Sequence, residues 1–460
     1  MYEINFDQPV NIHFMGIGGI SMSGLAEILI DRGFTVSGSD SKESDITHRL
    51  EARGVHISYP QQAANITPNI QLVVYTAAIH PDNPEFKACI KAGIPMLTRA
   101  ELLGQIMDNY SRSIAVSGTH GKTSTTSMIS QILLSGPLDP TISVGGIFKT
   151  IGSNVHVGTS DLFITEACEY TNSFLSFHPT HSIILNVEAE HLDFFKDLAD
   201  VRNSFHEFAK NTRPGGTIVI NGDIEDYGEL VEGCDVKVIT VGRSDTSDCY
   251  PTEVIYDEAG CATYTPVICG KAQAPIKLNV PGFHNVTNSL SAAALCMDMG
   301  VPFDQVRTGL EAFCGADRRF QYKGTMANGV TIVDDYAHHP TEIRACLTAA
   351  QNVRHDRLVC VFQPHTYTRT KAFLSDFADA LSLADVVVLA KIYPAREQDI
   401  YGVSSADIKS IMEKAGREVY YFETFEEIEK FLLKKCINGD LLITVGAGDV
   451  VKIGEALVGR

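Results

Sequence analysis

The sequence predicts an α/β protein of three domains: a Rossmann-like N-terminal domain, a central P-loop α/β domain with an antiparallel edge, and a Rossmann-like C-terminal domain. Three observations predict it. Short apolar runs alternate with amphipathic helical stretches over residues 10–107 and again over residues 330–445, as parallel βαβ units require. A glycine turn at residues 117–124, SGTHGKTS, stands between the apolar run 114–116 and the helix-like run 125–134. Residues 236–280 are rich in Thr, Val, Tyr and Gly with few helix signals, which suits antiparallel strands. With 460 residues, 44% of them hydrophobic, each of about three domains of ~150 residues can bury a full core.

Taken in order, the first domain (1–109) carries a strand at 11–15, a helix at 20–32 closed by Gly33, and strands at 34–37, 71–75 and 94–97. A polar interval at 108–112 separates it from the central domain (110–316). There the phosphate turn is followed by apolar runs 162–165 and 182–185, a helix around 200–210, a strand at 217–220 and the antiparallel segment. Helices at 285–299 and 303–313 end at Cys314-Gly315. The third domain (317–460) restarts the alternation with strands at 330–333, 358–362, 386–389, 418–422 and 441–445, a doubly wound pattern.

Composition excludes several classes. A net charge of -19 spread along the chain opposes nucleic-acid binding, because phosphates are repelled. Anionic ligands therefore need local positive sites. Eleven cysteines scattered singly, with no C-x-x-C pair, fit reduced thiols of a cytoplasmic protein. Residues 1–8 are mixed and acidic rather than an export signal, and no run of ~18 apolar residues supports membrane insertion.

The central turn carries the strongest chemical signal. Glycine lets backbone N–H groups approach phosphate oxygens, the helix N-terminus adds partial positive charge, Lys122 adds a full one, and the Thr123 hydroxyl suits Mg²⁺. Val116 stands where the longer G-x-x-x-x-G-K-[ST] spacing needs its first glycine, so the loop is the compact G-x-x-G-K-T. A second turn, Gly16-Ile17-Gly18-Gly19-Ile20-Ser21, follows the first strand, with Asp40 at the end of the next strand. That pattern also fits a nicotinamide dehydrogenase, but a dehydrogenase has no use for a triphosphate loop. The turn then suits a nucleotide-linked substrate.

Further polar groups gather at strand ends, the edge on which α/β ligand sites are built. Glu166-Ala167-Cys168-Glu169 and Asn186 to Asp193 (NVEAEHLD) offer carboxylates and an imidazole suited to Mg²⁺ beside polyphosphate, or simply surface charge. PGFHNVTN places Asn285 and Asn288 where amides can cap a helix or read an adenine edge. Arg318-Arg319-Phe320, Asp334-Asp335-Tyr336-Ala337-His338-His339, the run from Gln363 to Lys371 and Ala395-Arg396-Glu397 put cations and carboxylates at successive strand ends of the third domain.

The ordered set GTHGKT, EACEYTNSFL, NVEAEHLD, GFHNVTN, RRF, DDYAHHPTEI, FQPHTYTRT and AREQD, together with GIGGISMSGLA, resembles the bacterial Mur ligases across all three domains. The resemblance implies an ATPase in the central domain and ATP-dependent ligation of L-alanine to the carboxylate of UDP-N-acetylmuramate, through an acyl phosphate, in cytoplasmic peptidoglycan precursor synthesis. A monomer or weak homodimer is expected. Within the family a murein tripeptide-recycling ligase is the alternative. Residue by residue it makes Gly118, Thr119, His120, Gly121, Lys122, Thr123 and Ser124 the ATP loop, Thr123, Glu166 and His191 the Mg²⁺ residues, and Asn285 and Asn288 adenine contacts. Arg319 and Asp335 fall to ATP, and Tyr336, His338 and Arg369 to the amino acid or acyl intermediate. Gly16, Gly18, Gly19, Ile20, Ser21, Asp40, Thr76, Ala77, Ala78 and Arg99 fall to the UDP-sugar. Catalysis would rest on Lys122, Glu166, His191, Arg319, Asp335, His338 and Arg369. Three positions depart from the family pattern. Glu190 stands where members commonly have Asp, Thr366 where many have Arg, and His206 where some carry a carbamylated lysine, so no such lysine is expected.

Overall fold

Parallel strands covered on both faces read as near-continuous apolar runs, and the central ones of this chain do: VVVL at 386–389 and IAV at 114–116 are wholly buried. The computed structural model describes every residue except Met1, Ala77, Asp193 and Arg396. The chain divides into two compact units, Met1–Val241 with Ser291–Val306, and Gly242–Leu290 with Arg307–Arg460.

The first unit begins with β1 (Asn11–Met15), α1 (Ile20–Asp31), β2 (Thr35–Ser39), α2 (Asp45–Ala52), β3 (His56–Ser58), β4 (Leu72–Tyr75), α3 (Pro84–Ala92), β5 (Met96–Thr98) and α4 (Arg99–Asp108). Their sheet is parallel in the order β3-β2-β1-β4-β5, so the direction in which strands are added switches beside β1, the place where such sheets open a crevice at the strand ends. The glycine turn after β1 opens there. The unit continues with β6 (Arg112–Ser117), α5 (Lys122–Leu134), β7 (Thr141–Phe148), β8 (Ser153–His156), β9 (Leu162–Glu166), β10 (His181–Ile184), α6 (Leu198–Lys210), β11 (Thr217–Asn221), α7 (Tyr227–Leu230) and β12 (Lys237–Val241). These strands run β12-β11-β10-β6-β9-β7-β8, parallel except for the β7–β8 hairpin. One core joins both sheets of this unit, from Phe14 and Leu25 through Phe163 and Phe174 to Phe205 and Ile220.

The second unit contains β13 (Cys249–Tyr256), β14 (Cys261–Ile268), β15 (Lys271–Ala272) and β16 (Ile276–Pro281), all paired antiparallel. Next come α8 (Phe283–Asp298) and α9 (Phe303–Ala312), each with residues in both units. The rest comprises β17 (Gln321–Thr325), β18 (Thr331–Asp335), α10 (Pro340–Gln351), β19 (Arg357–Phe362), α11 (Tyr367–Ala372), α12 (Leu374–Leu381), β20 (Val386–Leu389), α13 (Ser405–Lys414), β21 (Val419–Tyr421), α14 (Phe425–Lys435), β22 (Asp440–Val445) and α15 (Val451–Leu457). The order β17-β18-β22-β19-β20-β21 is parallel apart from the edge strand β17. Its two faces bury separate clusters, one around Phe362 and Phe377 and one around Val361 and Leu432. Among the described residues no helix is long and apolar enough to cross a membrane.

Candidate active site

β6 ends at Ser117 and the chain turns through Gly118, at φ +140°, into α5. A Cβ on Gly118 would stand 2.9 Å from Leu185 Cβ and 3.2 Å from the Asn186 nitrogen, so only glycine lets the loop lie against the end of β10. Gly121, at φ +84°, then caps α5 with no side chain on its first-turn N–H groups, which as at any helix start have no intrahelical acceptor. Asn186 clamps the loop from the neighbouring strand end. Its Oδ1 accepts the His120 N–H at 2.7 Å, its Nδ2 donates to the His120 carbonyl at 3.1 Å, and its own carbonyl accepts the Thr119 N–H at 3.2 Å. The Thr119 hydroxyl accepts the Glu188 N–H at 3.0 Å, and Glu188 Oε2 stands 3.4 Å from His120 Nε2.

Lys122 reaches back over the loop, donating to the carbonyls of Gly118 and Thr119 and lying 2.9 Å from Glu169 Oε2. Glu169 Oε1 stands 3.5 Å from His191 Nε2, so one buried carboxylate links the lysine to the imidazole. Burial drives the Lys122 amine down, yet Glu169 outweighs it and the pKa rises above the ordinary lysine value. Burial likewise raises the Glu169 carboxyl, but Lys122 and a hydrogen bond from His191 hold it below the ordinary range. Both groups are therefore charged. His191 itself takes a left-handed backbone, φ +56°, and its ring lies 4.5 Å from that of Tyr170.

Glu166, the last residue of β9, accepts the Gly145 N–H of β7 at 2.6 Å. Gly146, the next residue, passes within reach of Thr123: a Cβ built on it would stand 3.8 Å from the Thr123 methyl. The β7 backbone thus runs past both Thr123 and Glu166. The Thr123 hydroxyl and the Glu166 carboxylate are hard oxygen donors of the kind Mg²⁺ takes, while the His191 imidazole is engaged by Glu169.

The N-terminal turn is held differently. Gly16 and Ile17 donate their N–H groups to the Ser39 carbonyl at 2.8 and 3.1 Å, and Gly18 donates to Asp40 Oδ2 at 2.8 Å. Gly19 donates to the Gly16 carbonyl, and Ile20 is half exposed at the start of α1. Gly16 packs against Thr76 at the end of β4, and Arg99 Nη1 donates to Ser21 Oγ at 3.1 Å. Ala78 is exposed beyond Thr76, while Ala77 lies outside the described residues.

In the second unit Asp335 ends β18 with Oδ1 accepting the Ala337 N–H at 2.7 Å and Oδ2 the Phe320 N–H at 2.8 Å. Burial still dominates and pushes its carboxyl up to about 6. Arg318 pins this corner, bonding Asp334 at 2.9 Å and the carbonyls of Gly446 and Gly448, and both it and Arg319 lie over the Tyr336 ring at 5.0 and 5.5 Å. Arg319 Nη1 stands 3.5 Å from Glu342 Oε1, while His338 Nδ1 bonds the Tyr336 carbonyl at 3.0 Å and stands 3.3 Å from Glu342 Oε2. The His338 ring faces His365 at 6.0 Å, and Arg369 Nη1 lies 3.2 Å from His365 Nδ1. Tyr336, His338 and Arg369 thus share one neighbourhood. Asn285 and Asn288 are buried in the first turns of α8, and Asn285 Nδ2 donates to the Pro281 carbonyl at 2.8 Å. Asn285 is therefore inside the helix rather than its cap.

Family models match most of the chain in three consecutive parts: "Mur ligase family, catalytic domain" over residues 11–111, "Mur ligase middle domain" over 116–296, and "Mur ligase, glutamate ligase domain" over 318–448. The chain belongs to the Mur ligase family. It is 64% identical over 458 residues to UDP-N-acetylmuramate–L-alanine ligase of Agathobacter rectalis, and 57% identical over 459 residues to that of Lachnospira eligens, with 100% of both chains covered in each case. A crystal structure of UDP-N-acetylmuramate–alanine ligase from Thermotoga maritima superposes with a TM-score of 0.79 at 30% identity, covering 97% of this chain and 98% of that one.

Against this family background, sequence reasoning left several residues unassigned. Glu169 lies three residues after Glu166 in the same motif, and its burial between Lys122 and His191 is a tertiary fact. Asn186 and Glu342 likewise sit inside the recognised motifs, though their bonds are to backbone and cations distant in sequence. Thr366 serves the local backbone. At φ +66° its hydroxyl caps α11 by accepting the Arg369 N–H. Glu190 is buried and accepts the His191 N–H at 3.3 Å. Arg396 lies outside the described residues.

Proposed function

We propose that the protein joins the amino group of L-alanine to the carboxylate of UDP-N-acetylmuramate, with ATP converted to ADP and phosphate, as a step of peptidoglycan precursor synthesis in the cytoplasm. What carries this reading is the Lys122–Glu169–His191 cluster on the phosphate loop, in a chain 64% identical end to end to a ligase of that name.

The reaction brings two anions together. A carboxylate and a γ-phosphate at 4 Å repel by about 4 kcal/mol per charge pair at an effective dielectric near 20. We assign Lys122 and the α5 first-turn N–H groups of Gly121, Thr123 and Ser124 to the phosphates, where fixed positive charge costs no reorganisation. Thr123, Glu166 and His191 would hold Mg²⁺, which when bound polarises phosphate oxygens as a Lewis acid. The carboxylate oxygen bonds to the γ-phosphorus as ADP leaves. The neutral amine of L-alanine then adds to the acyl carbon, and phosphate departs from the tetrahedral adduct with the amine proton lost to solvent or a base.

Arg369 suits the amino-acid carboxylate as a guanidinium that already donates to the His365 imidazole, with His338 and Tyr336 beside it. Asn285 and Asn288 are assigned to adenine, Arg319 and Asp335 to ATP. Gly16 to Ser21, Asp40, Thr76, Ala78 and Arg99 are assigned to the UDP-sugar. The same reading keeps the domain bounds 1–109, 110–316 and 317–460 and a monomer or weak homodimer. The test is phosphate release from ATP and Mg²⁺ with UDP-N-acetylmuramate, across free amino acids and preformed tripeptides. L-Alanine is expected to support the highest kcat/KM; a preference for tripeptide would move the protein to the recycling activity instead.

A further inference from the structure

Glu85 lies in the first turn of α3 with no exposed surface, and the ligation scheme does not use it. A carboxylate withdrawn from water persists only if hydrogen bonds and charge replace the lost hydration. Here they do. Glu85 Oε2 accepts from Ser39 Oγ at 2.5 Å and Oε1 from Asn65 Nδ2 at 2.6 Å, while His13 Nε2 stands 3.9 Å from Oε1 and His13 Nδ1 lies 3.0 Å from Ser37 Oγ. Burial pushes the Glu85 carboxyl up, but His13, Ser39 and Asn65 outweigh it and hold the pKa below the ordinary range. The group is charged, and it ties α3 to β1 and β2.

Ser39 has a second set of bonds. Its carbonyl accepts the N–H groups of Gly16 and Ile17, and the next residue, Asp40, accepts that of Gly18. Glu85 therefore grips Ser39 by its side chain while Ser39 grips the glycine turn by its backbone. The geometry points to Glu85 as a positioning residue for the nucleotide-linked substrate: acting through Ser39, it sets where the Gly16–Ser21 turn stands. This rests on the assignment of UDP-N-acetylmuramate to that turn. A residue that only stabilised the fold would leave both substrates' KM values alone or disturb them alike; a positioning residue acts on one.

The experiment is steady-state kinetics on the full-length Glu85→Gln and Ser39→Ala variants and their double. The KM for UDP-N-acetylmuramate is expected to rise about tenfold in each single variant, the effect of losing one hydrogen bond to a charged group. The ATP KM and kcat should stay within about twofold, and the double variant should be no worse than the worse single, as residues acting through each other are non-additive. An unchanged KM for UDP-N-acetylmuramate in a folded variant, an equal rise for ATP, or full additivity overturns the inference. If Glu85→Gln does not fold, Ser39→Ala, which keeps the carboxylate with Asn65 and His13, decides alone. Wild-type protein that fails to bind UDP-N-acetylmuramate by calorimetry overturns the substrate assignment itself, and this inference with it.

Discussion

Replacing Lys122 with methionine separates the structural and catalytic roles of this lysine. Its amine lies 2.9 Å from Glu169, with side chains only 15% and 2% exposed, so solvent screens the pair weakly. Removing one partner of a buried ion pair costs about 3–5 kcal/mol, and the partial access of Lys122 puts the expectation near the lower end, about 3. At roughly 2–4 °C per kcal/mol for a unit of this size, Lys122→Met should melt about 6–12 °C lower. Burial is the largest influence on Glu169, so without the lysine its carboxylate is left with an uncompensated desolvation cost. Lys122→Met/Glu169→Gln removes the stranded charge and should recover most of the lost stability. Activity should not recover, because about 4 kcal/mol of unrelieved repulsion corresponds to roughly 10³-fold in rate. Thermal melts and phosphate-release assays on both variants check this. A double variant as unstable as the single, or turnover near wild type in either, would refute the reasoning.

Asp335 gives a pH signature. Burial lifts its folded pKa to about 6, above the ordinary 3.8, so its stabilising contribution is fully present below about pH 4 and lost as pH rises to about 6. Melts of Asp335→Asn against wild type should therefore favour the variant increasingly from pH 4 to 6, by about 2–3 kcal/mol, and a flat difference contradicts the burial argument. Asn186→Ala frees the loop at His120 and should raise the ATP KM roughly tenfold while sparing that for UDP-N-acetylmuramate; calorimetry with ADP reads the same loss directly. Arg369→Ala should raise the L-alanine KM by about tenfold or more with the ATP KM unchanged, and a selective loss of ATP instead would reassign the residue.

Apolar strands and glycine turns are legible in the sequence because their periods and backbone demands are local. The expected strand at 386–389 coincides with β20, and the glycine turn expected at 117–124 lies between β6 and α5. Short or polar elements escape. The β7–β8 hairpin, which holds Glu166 through Gly145, has no clean alternation, and β3 and β17 are short edge strands fixed by pairing rather than by composition. The sequence places the start of α8 at Asn285, yet the helix starts at Phe283, because Gly282 at φ +93° makes the break two residues earlier. At the site, single residues with unusual backbone needs or charges stand out, whereas their partners do not. Glu169, Asn186 and Glu342 matter for what they touch far along the chain, up to 66 residues away for Asn186, and that is tertiary information.

The central claim is that the carboxylate of UDP-N-acetylmuramate is phosphorylated by ATP before the amide forms. Ligation of L-alanine with substrate labelled with ¹⁸O in both carboxylate oxygens, followed by mass analysis of the products, tests it most directly. The account predicts one ¹⁸O in each released phosphate, the other retained in the amide carbonyl, and none in ADP. Unlabelled phosphate, or label transferred to AMP, would contradict it.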